Sequence, residues 1–285
     1  MVIDGKKLSL EIQNSLREEI AAGGYAPRLA IVQVGKNPVT EKFLEQKKKF
    51  GAAIGAPVEI CCVSPDVSTG ELTQLISNVG NRDDIGGIIV QLPLPPGVDT
   101  NEVLDAIPPE KDPDRLSSVS VGLLAAGFID VLPPVVGAIR HMVDTYQIEL
   151  LGKHAVVVGS GRLVGLPAAL WLSHKGATVT VLNKYTKNAT DHTIRADLIV
   201  SGAGQAGLIM PHMVREGVAV IDCGTSESHG RVVGDVDPRV AEAASLFSPV
   251  PGGVGPLTVA MLFSNLFALS RKKKVIVARE GVEPS

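Results

Sequence analysis

Hydrophobic positions along the chain switch between a helical spacing and short continuous runs. From Leu8 to Ile20 an apolar residue recurs every four positions, which predicts an amphipathic helix ending at Gly23-Gly24. Short apolar runs that follow such helical segments predict buried strands. In the first half of the chain the predicted strands are Arg28–Val34, Val58–Val63 and Gly87–Val90.

Helices fit between these strands. We expect Asn37 to cap the second helix, with Pro38 at its first position and its end at about Ile54. A third helix is predicted at about Ser68–Val79. The segment Pro108–Ser120 is rich in proline and charge, as loops and domain edges are.

A second series of alternating strands and helices begins at Lys153, after a predicted helix around Val135–Tyr146. Helices are predicted between the first three strands of this series. Strands joined by helical crossovers lie parallel, in sheets that are covered on both faces. The sequence therefore predicts an α/β protein of two units. The strands predicted in the second unit are His154–Val158, Thr178–Leu182, Leu198–Ser201 and Val218–Asp222.

Composition limits the classes of partner. The chain of 285 residues has 27 positive and 30 negative side chains, a net charge of −3, and only 4% aromatic residues. Such a chain has neither a basic field nor a stacking surface, so we expect no nucleic-acid partner and no membrane partner. Its N-terminus has no apolar signal-peptide region and no run approaches the length of a membrane helix, which predicts a cytoplasmic location.

The three cysteines and six histidines do not indicate a metal site. Cys61, Cys62 and Cys223 fit no zinc spacing, and the histidines show no ligand spacing either, so no metal is expected. Because Cys61 and Cys62 lie in an apolar run, we predict that they are core thiols of a buried strand.

A glycine-rich turn follows the first strand of the second unit. The run Gly159-Ser160-Gly161, with Gly165 after it, stands between a predicted strand and a predicted helix, where backbone amides can approach a phosphate. Glycine turns are also common in α/β proteins that bind no nucleotide. No acidic residue follows the next strand, whereas Lys184 does, which favours NADP over NAD. Alternatively, Lys184 is a solvated loop residue.

Three segments in the first unit contain residues that suggest chemistry. Thr40, Phe43 and Lys47 share one helical face, where a lysine of lowered pKa can manage a proton, although such lysines more often form a solvated stripe. Gln91 lies at the end of a strand, where it can orient a ligand or simply satisfy loop backbone. Asp114 belongs to a turn that also contains Asp112, and either aspartate can be an ordinary turn residue.

The chain resembles the bifunctional methylenetetrahydrofolate dehydrogenase/cyclohydrolase family from about residue 3 to 270. Two ordered segments, VQLPLP at 90–95 and PVPGGVGP at 249–256, make this resemblance specific. Shorter matches support it. These are Val34-Gly35-x-Asn37-Pro38, Lys47, Lys111-Asp112-x-Asp114, Val164-Gly165-x-Pro167, Asp222-x-Gly224 and Gly234-Asp235-Val236.

The resemblance implies two reactions. NADP takes hydride from 5,10-methylene-tetrahydrofolate, and water then opens the 5,10-methenyl product to 10-formyl-tetrahydrofolate. Lys47 would activate water, Gln91 would tune Lys47, and Asp114 would anchor the pterin ring. The implied folate-binding residues are Thr40, Phe43, Val90, Leu92, Pro251, Gly252, Gly253, Val254 and Gly255. The implied NADP-binding residues are Gly159, Ser160, Gly161, Lys184 and Thr225.

Several departures from the family pattern lie on the folate side. Phe43 replaces a tyrosine, Thr40 replaces a serine, and Arg115 replaces a glycine after the pterin-binding aspartate, adding bulk and charge near that pocket. Residues 132–135 replace the segment Pro-Cys-Thr-Pro. The alternatives are therefore a weakened or non-catalytic folate- or NADP-binding homologue, and a related dehydrogenase with another substrate.

The resemblance also implies a domain plan. Residues 1–120 would form the folate and catalytic domain, completed by a C-terminal helix at 255–270. Residues 121–254 would form a Rossmann-like NADP-binding domain, with a cleft between the two. Residues 271–285 would be a tail, and the protein would be a homodimer.

Overall fold

The computed structural model describes residues 1–23, 25–35, 38–128, 130–228 and 231–279. The chain divides into two compact units, each built on a parallel sheet. The three-stranded unit comprises Leu10–Leu123, Ile129–Pro134 and Val259–Ser285. The five-stranded unit comprises Met1–Ser9, Leu124–Phe128 and Val135–Thr258.

The three-stranded unit has the strand order β2-β1-β3, with β1 at Arg28–Val34, β2 at Val58–Val63 and β3 at Ile85–Val90. Both neighbours run parallel to β1. Helices α2 (Pro38–Ile54) and α3 (Thr69–Gly80) connect these strands, as the spacing predicts. Helix α1 (Gly5–Gly23) precedes β1, and α4 (Thr100–Asp105), a 3₁₀ turn at Pro109–Lys111 and α5 (Ser118–Ala125) follow β3.

Hydrophobic side chains cover both faces of this sheet. On one face Phe50 of α2 stacks on Phe263, with ring centroids 5.1 Å apart. On the other face Leu72 and Ile76 of α3 pack with Val103 of α4. Ser68 caps α3, because its hydroxyl accepts the Glu71 N–H at 3.2 Å. The Asn37 cap predicted for α2 lies outside the described residues.

The five-stranded unit contains the strands β4 (His154–Val158), β5 (Thr178–Leu182), β6 (Leu198–Ser201), β7 (Ala219–Asp222), β8 (Ser226–Ser228), β9 (Arg231–Val233) and β10 (Leu246–Ser248). Its sheet has the order β10-β7-β6-β4-β5, and all neighbouring strands in it are parallel. Strands β8 and β9 form a separate antiparallel hairpin. The remaining helices are α6 (Pro134–Thr145), α7 (Gly165–His174), α8 (Ala189–Thr193) and α9 (Val254–Arg279), with 3₁₀ turns at Pro211–Met213 and Pro238–Glu242.

The two-unit α/β prediction is confirmed, but the prediction of β2 as a buried strand is wrong. Cys62 is exposed and Cys61 is only partly buried. The reason is that β2 lies at the edge of its sheet, so one side of it has no neighbouring strand. An apolar run does not distinguish an edge strand from a central one.

Helix α9 extends beyond the helix expected at 255–270. It continues to Arg279, so the first part of the predicted 271–285 tail is helical, and residues 280–285 lie outside the described residues. The expectation that no segment has the length of a membrane helix needs correction. The segment Val254–Arg271 is long and apolar enough, although 61% of it is buried inside the protein, as in a core helix.

Candidate functional site

A lysine and a glutamine meet at the carboxyl end of β3. The Lys47 Nζ atom on α2 donates a hydrogen bond of 3.1 Å to Gln91 Oε1. The Gln91 backbone N–H donates to Val32 O at 2.9 Å, which continues the sheet pairing with β1. Its side-chain Nε2 donates to Leu92 O at 3.2 Å. These contacts turn the amide oxygen of Gln91 toward the lysine and hold it there.

Burial changes the ionisation of this site. It lowers the pKa of the Lys47 amine from its ordinary value, while the charge of Asp114 acts in the opposite direction. Burial also raises the pKa of Asp114 to about 6, against the effect of Lys47, and the charge of Asp112 adds to the rise. Both groups therefore change protonation more readily near neutral pH than an exposed lysine or aspartate would.

A buried framework holds the turn that carries Asp114. Lys111 Nζ donates to the carbonyl oxygens of Gly80 at 2.7 Å and Arg82 at 2.6 Å. The Asp112 carboxylate is fully buried. It accepts the Arg115 N–H at 2.8 Å and, at 2.9 Å each, the hydroxyls of Ser117 and Ser120. From the sequence, either Asp112 or Asp114 could be an ordinary turn residue. In the structure, Asp112 is the residue that anchors the turn.

Arg115 occupies a backbone conformation that favours glycine. Its φ is +56°, in the left-handed region, which accounts for the glycine of the family pattern. The bulk and charge that Arg115 was expected to add near the pterin pocket are mostly buried. The residue is 9% exposed, and its Nη1 donates a hydrogen bond to Pro109 O at 2.9 Å. Burial also lowers the pKa of the Arg115 guanidinium.

The other folate-side positions divide between the two units. Thr40 and Phe43 lie on α2 with Lys47 and are partly exposed, as is Leu92 after β3. The Val90 side chain packs in the core, so its side chain is not available to a ligand. The remaining positions, residues 251–255, belong to the five-stranded unit.

The loop at residues 249–255 is held by backbone contacts. The Gly253 N–H donates to Pro249 O and the Gly5 N–H donates to Gly252 O, both at 2.9 Å. A side chain at Gly5 would overlap the carbonyl oxygen of Gly253, so this close approach requires glycine. Gly252 also has a positive φ of +102°.

The glycine turn after β4 is open on one side and tightly packed on the other. Gly159 has a φ of +106°, and its N–H donates to Leu182 O at 2.9 Å. Ser160 and Gly161 are exposed, and a Cβ at Gly161 would have no atom within 4 Å. In contrast, a Cβ at Gly165 would overlap the Gly159 carbonyl oxygen. The turn can therefore admit a ligand close to its backbone at the start of α7.

Two further predicted positions lie on the same sheet edge. Lys184 follows β5, the neighbour of β4, and is exposed with Nζ 5.0 Å from the centre of the Tyr185 ring. Thr225 follows β7 and is also exposed. The carboxyl ends of parallel strands are the usual ligand-binding edge of such sheets. Backbone amides, hydroxyls and one ammonium group form a donor set that fits a phosphate-bearing dinucleotide.

Residues that could hold a metal ion do not cluster in the described parts of the chain. Among those residues, no group of three or more histidine, cysteine or acidic side chains is close enough to share an ion.

Comparisons with known proteins show which family the chain belongs to. A family model described as "Tetrahydrofolate dehydrogenase/cyclohydrolase, catalytic domain" matches residues 3–114. A second, "Tetrahydrofolate dehydrogenase/cyclohydrolase, NAD(P)-binding domain", matches residues 133–274. The bifunctional protein FolD of Methanoculleus marisnigri is 40% identical over 273 residues, which cover 95% of this chain and 96% of that protein.

Solved structures give the same result. The bifunctional enzyme FolD of Campylobacter jejuni is 35% identical with a TM-score of 0.92, covering 96% of this chain and 99% of that one. The Trypanosoma brucei methylenetetrahydrofolate dehydrogenase-cyclohydrolase, solved with NADP cofactor and an inhibitor, is 35% identical with a TM-score of 0.91, covering 96% and 98%. The chain belongs to the tetrahydrofolate dehydrogenase/cyclohydrolase family.

Proposed function

We propose that the protein oxidises 5,10-methylene-tetrahydrofolate with NADP and hydrolyses the resulting 5,10-methenyl-tetrahydrofolate to 10-formyl-tetrahydrofolate. The observation that carries this proposal is the hydrogen-bonded pair of Lys47 and Gln91 beside Asp114, in a chain that matches both family domains. These are reactions of one-carbon metabolism.

Lys47 serves the hydrolytic step. Its lowered pKa increases the fraction of neutral amine near neutral pH, and a neutral amine can accept a proton from an attacking water. The water oxygen bonds to the methenyl carbon, and the bond from that carbon to N5 then breaks. One water proton passes to N5 and the other leaves through Lys47, so the cationic substrate gives neutral 10-formyl-tetrahydrofolate and a proton. Gln91 keeps the amine directed by accepting its hydrogen bond.

Asp114 anchors the pterin ring. An ionised carboxylate offers two oxygens to adjacent N–H donors of a heterocycle, and the anchored turn keeps Asp114 in place for this contact. Phe43 stacks on the folate ring, and Thr40 and Leu92 line its site. Val90, whose side chain is buried in the core, contributes only its backbone. The family resemblance also assigns residues 251–255 to folate binding.

The five-stranded unit binds the nucleotide. When bound, NADP supplies the acceptor for the hydride of the methylene carbon. The amides of Ser160 and Gly161, ahead of α7, would hold its diphosphate. Gly159, whose own N–H is bonded to Leu182 O, would shape the turn so that the backbone can approach the phosphate. Lys184 pairs with the 2′-phosphate that distinguishes NADP from NAD, and Thr225 contributes a hydroxyl.

We also propose a homodimer located in the cytoplasm. The family resemblance supports the dimer. The net charge of −3 supports the expectation of no nucleic-acid and no membrane partner, because it provides no general attraction to polyanions.

The first prediction separates the two reactions. Replacing Lys47 by methionine keeps the aliphatic stem and removes the amine. We expect methenyl-tetrahydrofolate hydrolysis to fall by about 10²–10⁴-fold, the usual contribution of a general acid–base group, while the KM for NADP stays unchanged. Stopped assays of hydrolysis and of NADP reduction measure both activities.

Lys48→Met is the matched control, because Lys48 is exposed on the same helix and pairs with Glu45 at 3.0 Å. We expect it to retain both activities. Folded wild-type protein without either activity would refute the proposed function. A Lys47→Met variant that hydrolyses substrate at the rate of wild type would refute the role of Lys47.

The second prediction concerns pH. Because the pKa of Asp114 is raised to about 6, the anchoring carboxylate is ionised above that pH and becomes protonated below it. Lowering the pH from about 7 to about 5 reduces the ionised fraction about tenfold, so KM for the folate substrate should rise about tenfold. Asp114→Asn should have a high KM with no such rise, and a wild-type KM that is flat across this range would contradict the anchoring role.

The third prediction concerns cofactor choice. Lys184→Ala removes the ammonium group and should raise KM for NADP roughly tenfold, in the range of a charged hydrogen bond, without changing KM for NAD. Lys187→Ala, on the same exposed loop, should change neither value. Equal losses with NADP and NAD would argue against recognition of the 2′-phosphate by Lys184.

A further inference from the structure

Two buried carboxylates stand behind the nucleotide-binding edge of the five-stranded unit. Asp235 is fully buried and Asp222 is 1% exposed. Both belong to segments that carry the family resemblance, yet neither is exposed enough to contact a ligand. Burying a carboxylate costs free energy unless hydrogen-bond donors compensate it. The groups that donate to each carboxylate therefore show which loop it holds in place.

Asp235 binds the loop that follows β6. Its Oδ2 accepts the Ser201 hydroxyl at 2.8 Å and the Ala203 N–H at 2.6 Å, with the Gly204 N–H at 3.3 Å. Its Oδ1 accepts the Gln205 N–H at 2.8 Å. One side chain thus ties together the end of the strand and three successive amides of the exposed loop.

This loop packs directly against the glycine turn. A Cβ at Gly159 would lie 2.6 Å from the Gly202 carbonyl oxygen, and a Cβ at Gly202 would lie 2.6 Å from Val164 Cβ. The loop and the turn therefore touch through glycines with no space for a side chain. The loop therefore cannot move toward the glycine turn without displacing it, because the two backbones and the short Val164 side chain are already in contact.

Asp222 extends the same framework to the loop after β7. Its Oδ1 accepts the Gly224 N–H at 2.9 Å and the Asp235 N–H at 3.2 Å, and its Oδ2 accepts the Val236 N–H at 3.0 Å. It thereby fixes the residue before Thr225 and also the backbone of Asp235. A side chain at Gly224 or Gly234 would overlap these carboxylates, which accounts for the glycines of both segments.

We infer that Asp235, supported by Asp222, is a positioning residue for the nucleotide: it sets the loop after β6, and that loop sets the glycine turn. The inference rests on the proposed function, since it takes the glycine turn as the NADP site. Asp235 does not touch NADP. It affects binding through Gly202 and Gly159.

Asp235→Asn tests this inference. The amide NH₂ would meet backbone N–H donors in place of a carboxylate oxygen, so the loop loses part of its attachment. We expect KM for NADP to rise about tenfold or more, with kcat at saturating NADP within about twofold of wild type. Methenyl-tetrahydrofolate hydrolysis, measured without NADP, should stay at the wild-type rate and reports that the protein is folded.

Two further variants, one weaker and one a control, test whether the rise in KM for NADP comes from the contacts of Asp235. Ser201→Ala removes one donor and should raise KM for NADP less than Asp235→Asn. Asp237→Asn is the control, because Asp237 lies two residues away but bonds locally to Arg239 and caps the 3₁₀ turn at Pro238–Glu242. It should leave KM for NADP unchanged.

The outcomes separate this inference from the proposed function. Wild-type protein that lacks both activities overturns the proposed function itself. Active wild type with an unchanged KM for NADP in Asp235→Asn overturns the inference alone. If Asp235→Asn loses hydrolysis as well, the variant has lost more than its NADP site, and Gly202→Ala then tests the inference. This substitution separates the loop from the turn without altering the carboxylate. A selective rise in its KM for NADP supports the inference, and a parallel loss of both activities, or no change, overturns it.

Discussion

A lysine amine that is withdrawn from water and hydrogen-bonded to the amide oxygen of Gln91 is the constraint on which the proposed chemistry depends. Lys47 reaches Gln91 across 44 positions of sequence, and burial lowers its pKa while Asp114 limits that effect. An exposed lysine would remain charged near neutral pH and accept no proton. The parallel sheet makes this arrangement possible, because it brings the end of β3 beside the helix that precedes β2.

Both units use the same device to shape a loop at a sheet edge. Asp112 in the three-stranded unit and Asp235 in the five-stranded unit are fully buried carboxylates surrounded by backbone N–H and serine hydroxyl donors. Several neutral donors compensate each charge, and the guanidinium of Arg115 also acts on Asp112. In each unit the residues proposed to meet ligands stand beside such a buried anchor. The residues proposed to meet ligands provide the chemistry, and the two buried carboxylates hold the loops beside them in position.

Much of the architecture could be predicted from the sequence, because continuous apolar runs mark the strands of parallel sheets. The bounds of β1, β4, β5 and β6 agree with the prediction. The three-residue strands β8, β9 and β10 were missed, since they are too short to show a period. The positive φ of Arg115 also has no local signal, because arginine rarely adopts it. Lys47 and Asp114 were identified as candidates, but their shared burial depends on tertiary packing that spacing does not reveal.

The most direct test of this account is the titration of the Lys47 amine itself. Protein labelled with ¹³C at the lysine ε-carbon gives one NMR signal for each lysine, and Lys47→Met identifies the signal of interest by its loss. We predict that the pKa of this signal lies below the ordinary lysine value of about 10.4, and that Asp114→Asn lowers it further. A Lys47 signal with a pKa at that ordinary value would contradict the account.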